Sequence, residues 1–187
     1  DDREAAIESA QAAVNRFPAR FVEALRGEMQ AKLGLLSADR TNEQDDQLID
    51  DLLGVMAEHR LDFTLTFRRL TELAQPTPPA PNESVAPLIQ LEDPMATWLD
   101  RWRVRLDEDG ADPTARVSAM RRANPALIPR NHLVEAVIRA AEERQDFDPF
   151  HRLVDQLARP FDYDSEVEVF ARPPRPEEEV QQTFCGT

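Results

Sequence analysis

Apolar residues recur at intervals of three and four along most of the chain, which is the period of one face of an α-helix. An alanine-rich stretch from Arg3 to about Ala13 puts Ile7 and Val14 on one side. Phe17, Phe21, Leu25, Met29 and Leu33 follow at steps of four, and Gly34 stands where a helix ends in the left-handed conformation. From Thr41 to Glu58 the pattern predicts a further helix, with Leu48, Leu52 and Met56 beside Ile49 and Leu53. Asp45, Asp46, Asp50 and Asp51 occupy the rest of its surface. Asp62 is placed to cap a helix that carries Phe63, Phe67 and Leu70.

The periodicity stops between Gln75 and Pro87, where Pro76, Pro78, Pro79, Pro81 and Pro87 block helix and favour an extended connector. Beyond it three Asp-Pro pairs, Asp93-Pro94, Asp112-Pro113 and Asp148-Pro149, each place an N-cap carboxylate ahead of a proline in the first turn. The first predicted helix carries Met95, Trp98, Leu99, Trp102 and Leu106 and ends at Gly110. The second carries Val117 and Met120 and stops before Asn124-Pro125. A start at Asn131 leads Leu133, Val134, Val137, Ile138 and Ala141, and a last helix holds Phe150, Leu153, Val154 and Leu157. After Pro160 Val167 and Val169 alternate with acids, the pattern of a short strand, and Pro173, Pro174 and Pro176 lead to Phe184-Cys185-Gly186-Thr187. The expected fold class is all-α, an irregular bundle of about seven or eight helices, divided into a helical segment 1–74, a Pro-rich linker 75–87, a second helical segment 88–160 and an extended tail 161–187.

Composition narrows the function classes. With 187 residues, a core of useful size forms without staples. The single Cys excludes an internal disulfide framework and any two-cysteine zinc site. A formal charge of −14 opposes phosphate backbones and anionic lipid surfaces, so neither nucleic acid nor membrane is an expected partner. The 5 Gly leave little material for phosphate-cradling loops, and Lys32 is the only lysine. No apolar run reaches the length of a membrane span and no signal-peptide layout opens the chain, so the expected location is the cytoplasm. Arginine in place of lysine suggests a GC-rich bacterial genome.

Few residues suggest chemistry. Asp45, Asp46, Asp50 and Asp51 share helix faces, but without loop oxygens they read as a solvated surface and not as a hard-cation site. His132 and Glu135 fall on one face, a spacing that suits a general base and its orienting carboxylate but also arises by chance; His59 and His151 stand apart. Trp98 and Trp102, with Arg101 and Arg105, are readable as a stacking surface for nucleic acid, but they share the stripe of Met95 and Leu99 and so belong to the core. Cys185 sits near a polar terminus with no evident core to fill, which leaves a redox role and an incidental residue both open.

Several segments in shared order resemble the C-terminal portion of the selenoprotein O family, the YdiU-like pseudokinases that act as protein adenylyltransferases. They are Met29 to Leu35, Asp62-Phe63-Thr64 with Phe67-Arg68-Arg69-Leu70, Trp98 to Leu106, and Asn124-Pro125-Ala126-Leu127-Ile128-Pro129-Arg130-Asn131 with its following helix. Cys185-Gly186-Thr187 looks like the family's closing tripeptide, although the tail lacks the usual Cys-Ser-Ser ending and a tryptophan often found after the Pro-Pro pair. The resemblance implies that the chain is the latter part of a longer enzyme, appended to a kinase-like domain, and Asp1 in place of an initiator Met agrees with that. It implies a parent that binds ATP with Mg²⁺ or Mn²⁺ and transfers AMP to Ser, Thr or Tyr hydroxyls of protein substrates. No residue here matches the family's catalytic, nucleotide or metal motifs, so no such site is expected in this chain, and the fragment alone is expected to be inactive and to bind none of these cofactors. Only Cys185 carries over, as a redox-regulatory position whose cysteine partner lies elsewhere in the parent. Residues 1–74 are then expected to pack on the kinase-like part. The competing expectation is a non-catalytic acidic helical module that docks a basic partner.

Overall fold

A computed structural model describes residues 2–36, 42–77, 94–163, 167–180 and 182. Among them the secondary structure is all helical: α1 (Asp2–Leu33), α2 (Glu43–Glu58), α3 (Phe63–Leu73), α4 (Pro94–Asp109), α5 (Pro113–Ala123), α6 (Asn131–Arg144), α7 (Asp148–Leu157) and the short α8 (Val167–Ala171), followed by a 3₁₀ turn at Pro176–Glu178. The pair Val167 and Val169 is therefore helical; Val167 packs with Ala126, Leu127 and Ala171, a tertiary contact that alternation with acids cannot reveal. The stretches around Arg3–Ala13 and Phe17–Leu33 form one helix that runs through Pro18. Most of the linker, including Pro78 to Pro87, lies outside the described residues, as does Asp93.

Local chemistry sets the helix ends. At the end of α1 the Leu35 amide donates to the Gln30 carbonyl at 3.0 Å and the Gly34 amide to the Ala31 carbonyl at 3.2 Å, with Gly34 at φ +77°. That is the paired-bond closure of a left-handed helix stop. Asp62 accepts from the Leu65 amide at 2.9 Å and Asp112 from the Ala115 amide at 2.8 Å, as their N-cap positions predict. Asp148 differs: it lies inside the first turn of α7, and its own amide donates to Asp146 at 3.2 Å. The carboxylate that tethers this entry therefore stands two residues earlier than the Asp-Pro pairing suggests.

The main core joins the end of α1 to α2, α3, α4 and α5 around Leu33, Leu52, Phe67, Leu70, Met95, Trp98, Trp102 and Met120. Trp98 and Trp102 stack at 5.8 Å between ring centroids, and each buried indole N–H is satisfied: Trp98 donates to the Leu48 carbonyl at 2.8 Å, Trp102 to that of Leu33 at 2.9 Å. Each indole pins α4 to a different neighbour. The stripe is core, as its spacing predicts, and the indole bonds also set the rotation of α4. A smaller cluster, Ala126, Leu127, Val167 and Ala171 with Leu65, Leu157 and Tyr163, joins the second half of the chain to α3. Of the row at steps of four in α1, only Met29 and Leu33 enter the core; Phe17, Phe21 and Leu25 are exposed.

Two glycine substitutions separate conformational strain from crowding. A Cβ at Gly34 would lie 2.8 Å from Arg116 Cγ and Met120 Sδ, whereas at Gly110, at φ +66°, it would meet open space. Gly110→Ala is expected to cost about 1 kcal/mol from its backbone alone, and Gly34→Ala to cost at least about 2 kcal/mol through added overpacking. Denaturant midpoints of the two variants check this; equal losses would contradict the crowding at Gly34.

Candidate functional site

The segment that follows α5 brings together residues far apart in sequence. Pro125 ends the helix, which leaves the Asn124 side chain, fully buried, free to bond outward. Its Nδ2 donates to the Lys32 carbonyl at 2.9 Å and to Thr71 Oγ1 at 3.0 Å. Thr71 Oγ1 donates in turn to the Phe67 carbonyl at 2.9 Å. From the other direction Lys32 Nζ donates to the Ala123 carbonyl at 2.7 Å and approaches Asn124 Oδ1 at 3.4 Å. The Tyr163 hydroxyl closes the group by donating to the Asn124 carbonyl at 2.7 Å. One residue thus ties α1, α3, α5 and the segment before α8.

Lys32 also lies 5.8 Å and 5.5 Å from the ring centroids of Phe63 and Phe67. Burial lowers its pKa, opposed by the nearby Glu28 carboxylate. Its donors are committed to the Ala123 carbonyl and the Asn124 amide, so the chain's lone lysine serves as a clamp.

The rest of the signature is similarly occupied. Arg130 reaches both carboxylate oxygens of Asp62, the cap of α3. Burial pushes Asp62 up, but Arg130 and the Leu65 amide outweigh it and hold the acid below its ordinary pKa. Arg68, buried beneath the Tyr163 ring, donates to the Ala126 carbonyl at 3.3 Å and pairs with Glu168. These partners stand 58 to 100 residues apart, which is why spacing alone could not show them.

The acidic group on α2 is solvated, as its spacing suggests, except at Asp45. Asp45 is fully buried, accepting from Arg105 Nε at 2.7 Å and Gln30 Nε2 at 3.0 Å. Asp46 pairs with Arg26 at 2.5 Å and Asp51 with Arg101 at 2.5 Å; Asp50 is exposed. Arg105 from α4 explains the burial of Asp45, because a buried carboxylate needs a paired donor. Among the described residues no three His, Cys, Asp or Glu side chains are grouped to hold a metal. The donor set present does not fit a Mg²⁺ or Mn²⁺ ion, since the carboxylates of Asp45, Asp46 and Asp51 are bound to guanidinium groups.

His132 opens the first turn of α6 and is 7% exposed. It borders a cleft of about 590 Å³ shared with Ile128, Arg130, Pro174, Glu178 and Val180. Its Nε2 is buried with no hydrogen-bond partner among the described residues, while Glu135 accepts from Arg139 at 3.1 Å. The pairing of His132 with Glu135 as base and orienter is therefore not formed. Across the cleft Arg172 forks onto Glu178 at 2.5 and 2.7 Å. That fork and the Arg175 amide pull the Glu178 carboxyl down to about 2. His59 and His151 are exposed, apart from this cleft. Cys185 lies outside the described residues, and among those residues no helix is long and apolar enough to cross a membrane.

Burial, then the charges of Arg172 and Arg130, lower the His132 pKa, against a raising pull from Glu178; Glu135, Glu177 and Glu179 also line its surroundings. The folded site thus takes its proton less readily than the unfolded chain. Stability from neutral His132 is full above about pH 6.5 and declines as acid protonates the unfolded chain first. Nuclear magnetic resonance titration should give His132 a midpoint below about 6.5; one above it would contradict the site. Asn124→Ala should cost about 2–4 kcal/mol in denaturant unfolding, because the Lys32 carbonyl and Thr71 lose a buried donor. A loss below about 0.5 kcal/mol would show that the amide is dispensable.

Comparison with known proteins agrees with the signature segments. The family model described as protein adenylyltransferase SelO matches residues 5–158. A protein nucleotidyltransferase YdiU from Rhodopseudomonas palustris (strain BisB18) is 46% identical over 187 residues, covering 100% of this chain and 37% of its own length. YdiU proteins from a Bradyrhizobium species and from Methylorubrum extorquens are 44% and 45% identical, again over 100% of this chain, and 37% and 38% of their own lengths. The chain therefore spans less than two fifths of the curated relatives it matches. With residues 5–158 matched and the segments 29–35, 62–70 and 124–131 meeting in one bonded junction, the chain belongs to the SelO family of protein adenylyltransferases.

Proposed function

We propose that this chain is the helical C-terminal region of a longer enzyme that transfers AMP from ATP to Ser, Thr or Tyr hydroxyls of proteins. The match of the adenylyltransferase family across residues 5–158 carries this reading. In such a transfer the acceptor oxygen bonds to the α-phosphorus of ATP and pyrophosphate leaves. The parent would use Mg²⁺ or Mn²⁺, held by residues outside this chain. The geometry supports a buttressing role for these helices: their buried polar side chains are largely spent on internal bonds, such as Asn124 to Lys32 and Thr71, and Arg130 to Asp62.

Cys185 is proposed as a redox position that, by thiol–disulfide exchange with a small-molecule disulfide that leaves as two thiols, forms a disulfide with a cysteine elsewhere in the parent and so tethers the tail. Its role is separable from the chemistry of AMP transfer. Full-length parent, given labelled ATP, magnesium or manganese and a protein acceptor under reducing conditions, should incorporate AMP into the acceptor. No incorporation would refute the activity. Cys185→Ala should leave transfer intact and abolish its dependence on redox state; an unchanged redox response would refute the tether alone.

A further inference from the structure

We propose that the exposed apolar face of α1 is an intramolecular docking face, covered by the part of the parent polypeptide that lies outside these 187 residues. Ile7, Val14, Phe17, Phe21 and Leu25 are 58, 65, 64, 53 and 49% exposed. At about 3.6 residues per turn these five side chains fall within an arc of roughly 80°, and Glu8, Arg16, Arg20 and Glu23 take the opposite side. Phe17 and Phe21 stack at 5.9 Å with nothing of the described chain over them. The face is therefore a patterned stripe and not scattered surface residues.

Two physical facts require a cover. Residues 2–25, a rod of roughly 36 Å, make no buried contact with the body, and a free helix draws little stability from propensity alone. Pro18 interrupts its hydrogen bonding, since it has no N–H to offer the Val14 carbonyl, at a cost of about 3 kcal/mol. An apolar groove against the stripe offsets both. The occupant follows from length and charge. Matched relatives carry most of their chain outside the aligned region, which spans 37% of the first of them. A groove on the same polypeptide acts at high effective concentration. A second copy would bring another −14 against the first.

The inference rests on the reading that the chain is part of a longer protein, and amide hydrogen exchange on the full-length parent tests it. Amides of residues 7–25 should exchange at least about a hundredfold more slowly than a free helix. The double variant Phe17→Asp/Phe21→Asp should lose that protection while amides 95–106 of α4 keep theirs, showing that the body remains folded. Equal exchange of 7–25 in native and variant protein would overturn the docking face. So would protection that rises with protein concentration, which would assign the stripe to a second copy. A native gene product no longer than these 187 residues would instead overturn the underlying reading.

Discussion

A buried primary amide in the interior of a helical protein is costly unless each of its polar atoms is bonded, and Asn124 meets that demand by reaching across elements. Its donors end on the Lys32 carbonyl and on Thr71, and its own backbone carbonyl accepts from Tyr163. The Lys32 carbonyl is otherwise an orphan of the last turn of α1, and Lys32 Nζ caps the end of α5 in return. Two helix termini thus satisfy one another. Gly34 then turns the chain away in a left-handed conformation beside Arg116, which donates to the Gly34 and Leu106 carbonyls. These few directional bonds add to the apolar core in fixing the relative placement of α1, α3, α4 and α5.

The same junction gives physical content to the segments by which the family is recognised. Asn124 to Arg130 is held at several points: Arg68 grips the Ala126 carbonyl, the Ala126 amide donates to the Pro160 carbonyl, and Arg130 is spent on Asp62. Within the residues that the family model matches, this segment is a structural knot. It lies between the two packed clusters and joins them.

Much of the fold was legible in the sequence, because helix period, caps and stops are local. Asp62, Asp112, Gly34 and Gly110 act where their residue types predict, and the tryptophan stripe is core. What could not be read was non-local. Asp45 reads as solvated because Arg105 is 60 residues away. The two stretches of α1 read separately because their apolar patterns differ, and only the structure joins them through Pro18. Phe17, Phe21 and Leu25 share the spacing of Met29 and Leu33, and no spacing tells which residues have a partner within the chain. Val167 alternates like a strand yet packs as a helix against Ala126 and Leu127. Of the candidate chemistry, the isolation of His132 from Glu135 emerged only in three dimensions.

Asn124 works as a shared node and not as one more buried residue. A double-mutant cycle between Asn124→Ala and Thr71→Val in denaturant unfolding measures this directly. A node predicts a coupling of about 1 kcal/mol or more between the two changes, since each removes the other's partner. Additive losses, within about 0.3 kcal/mol, would contradict it.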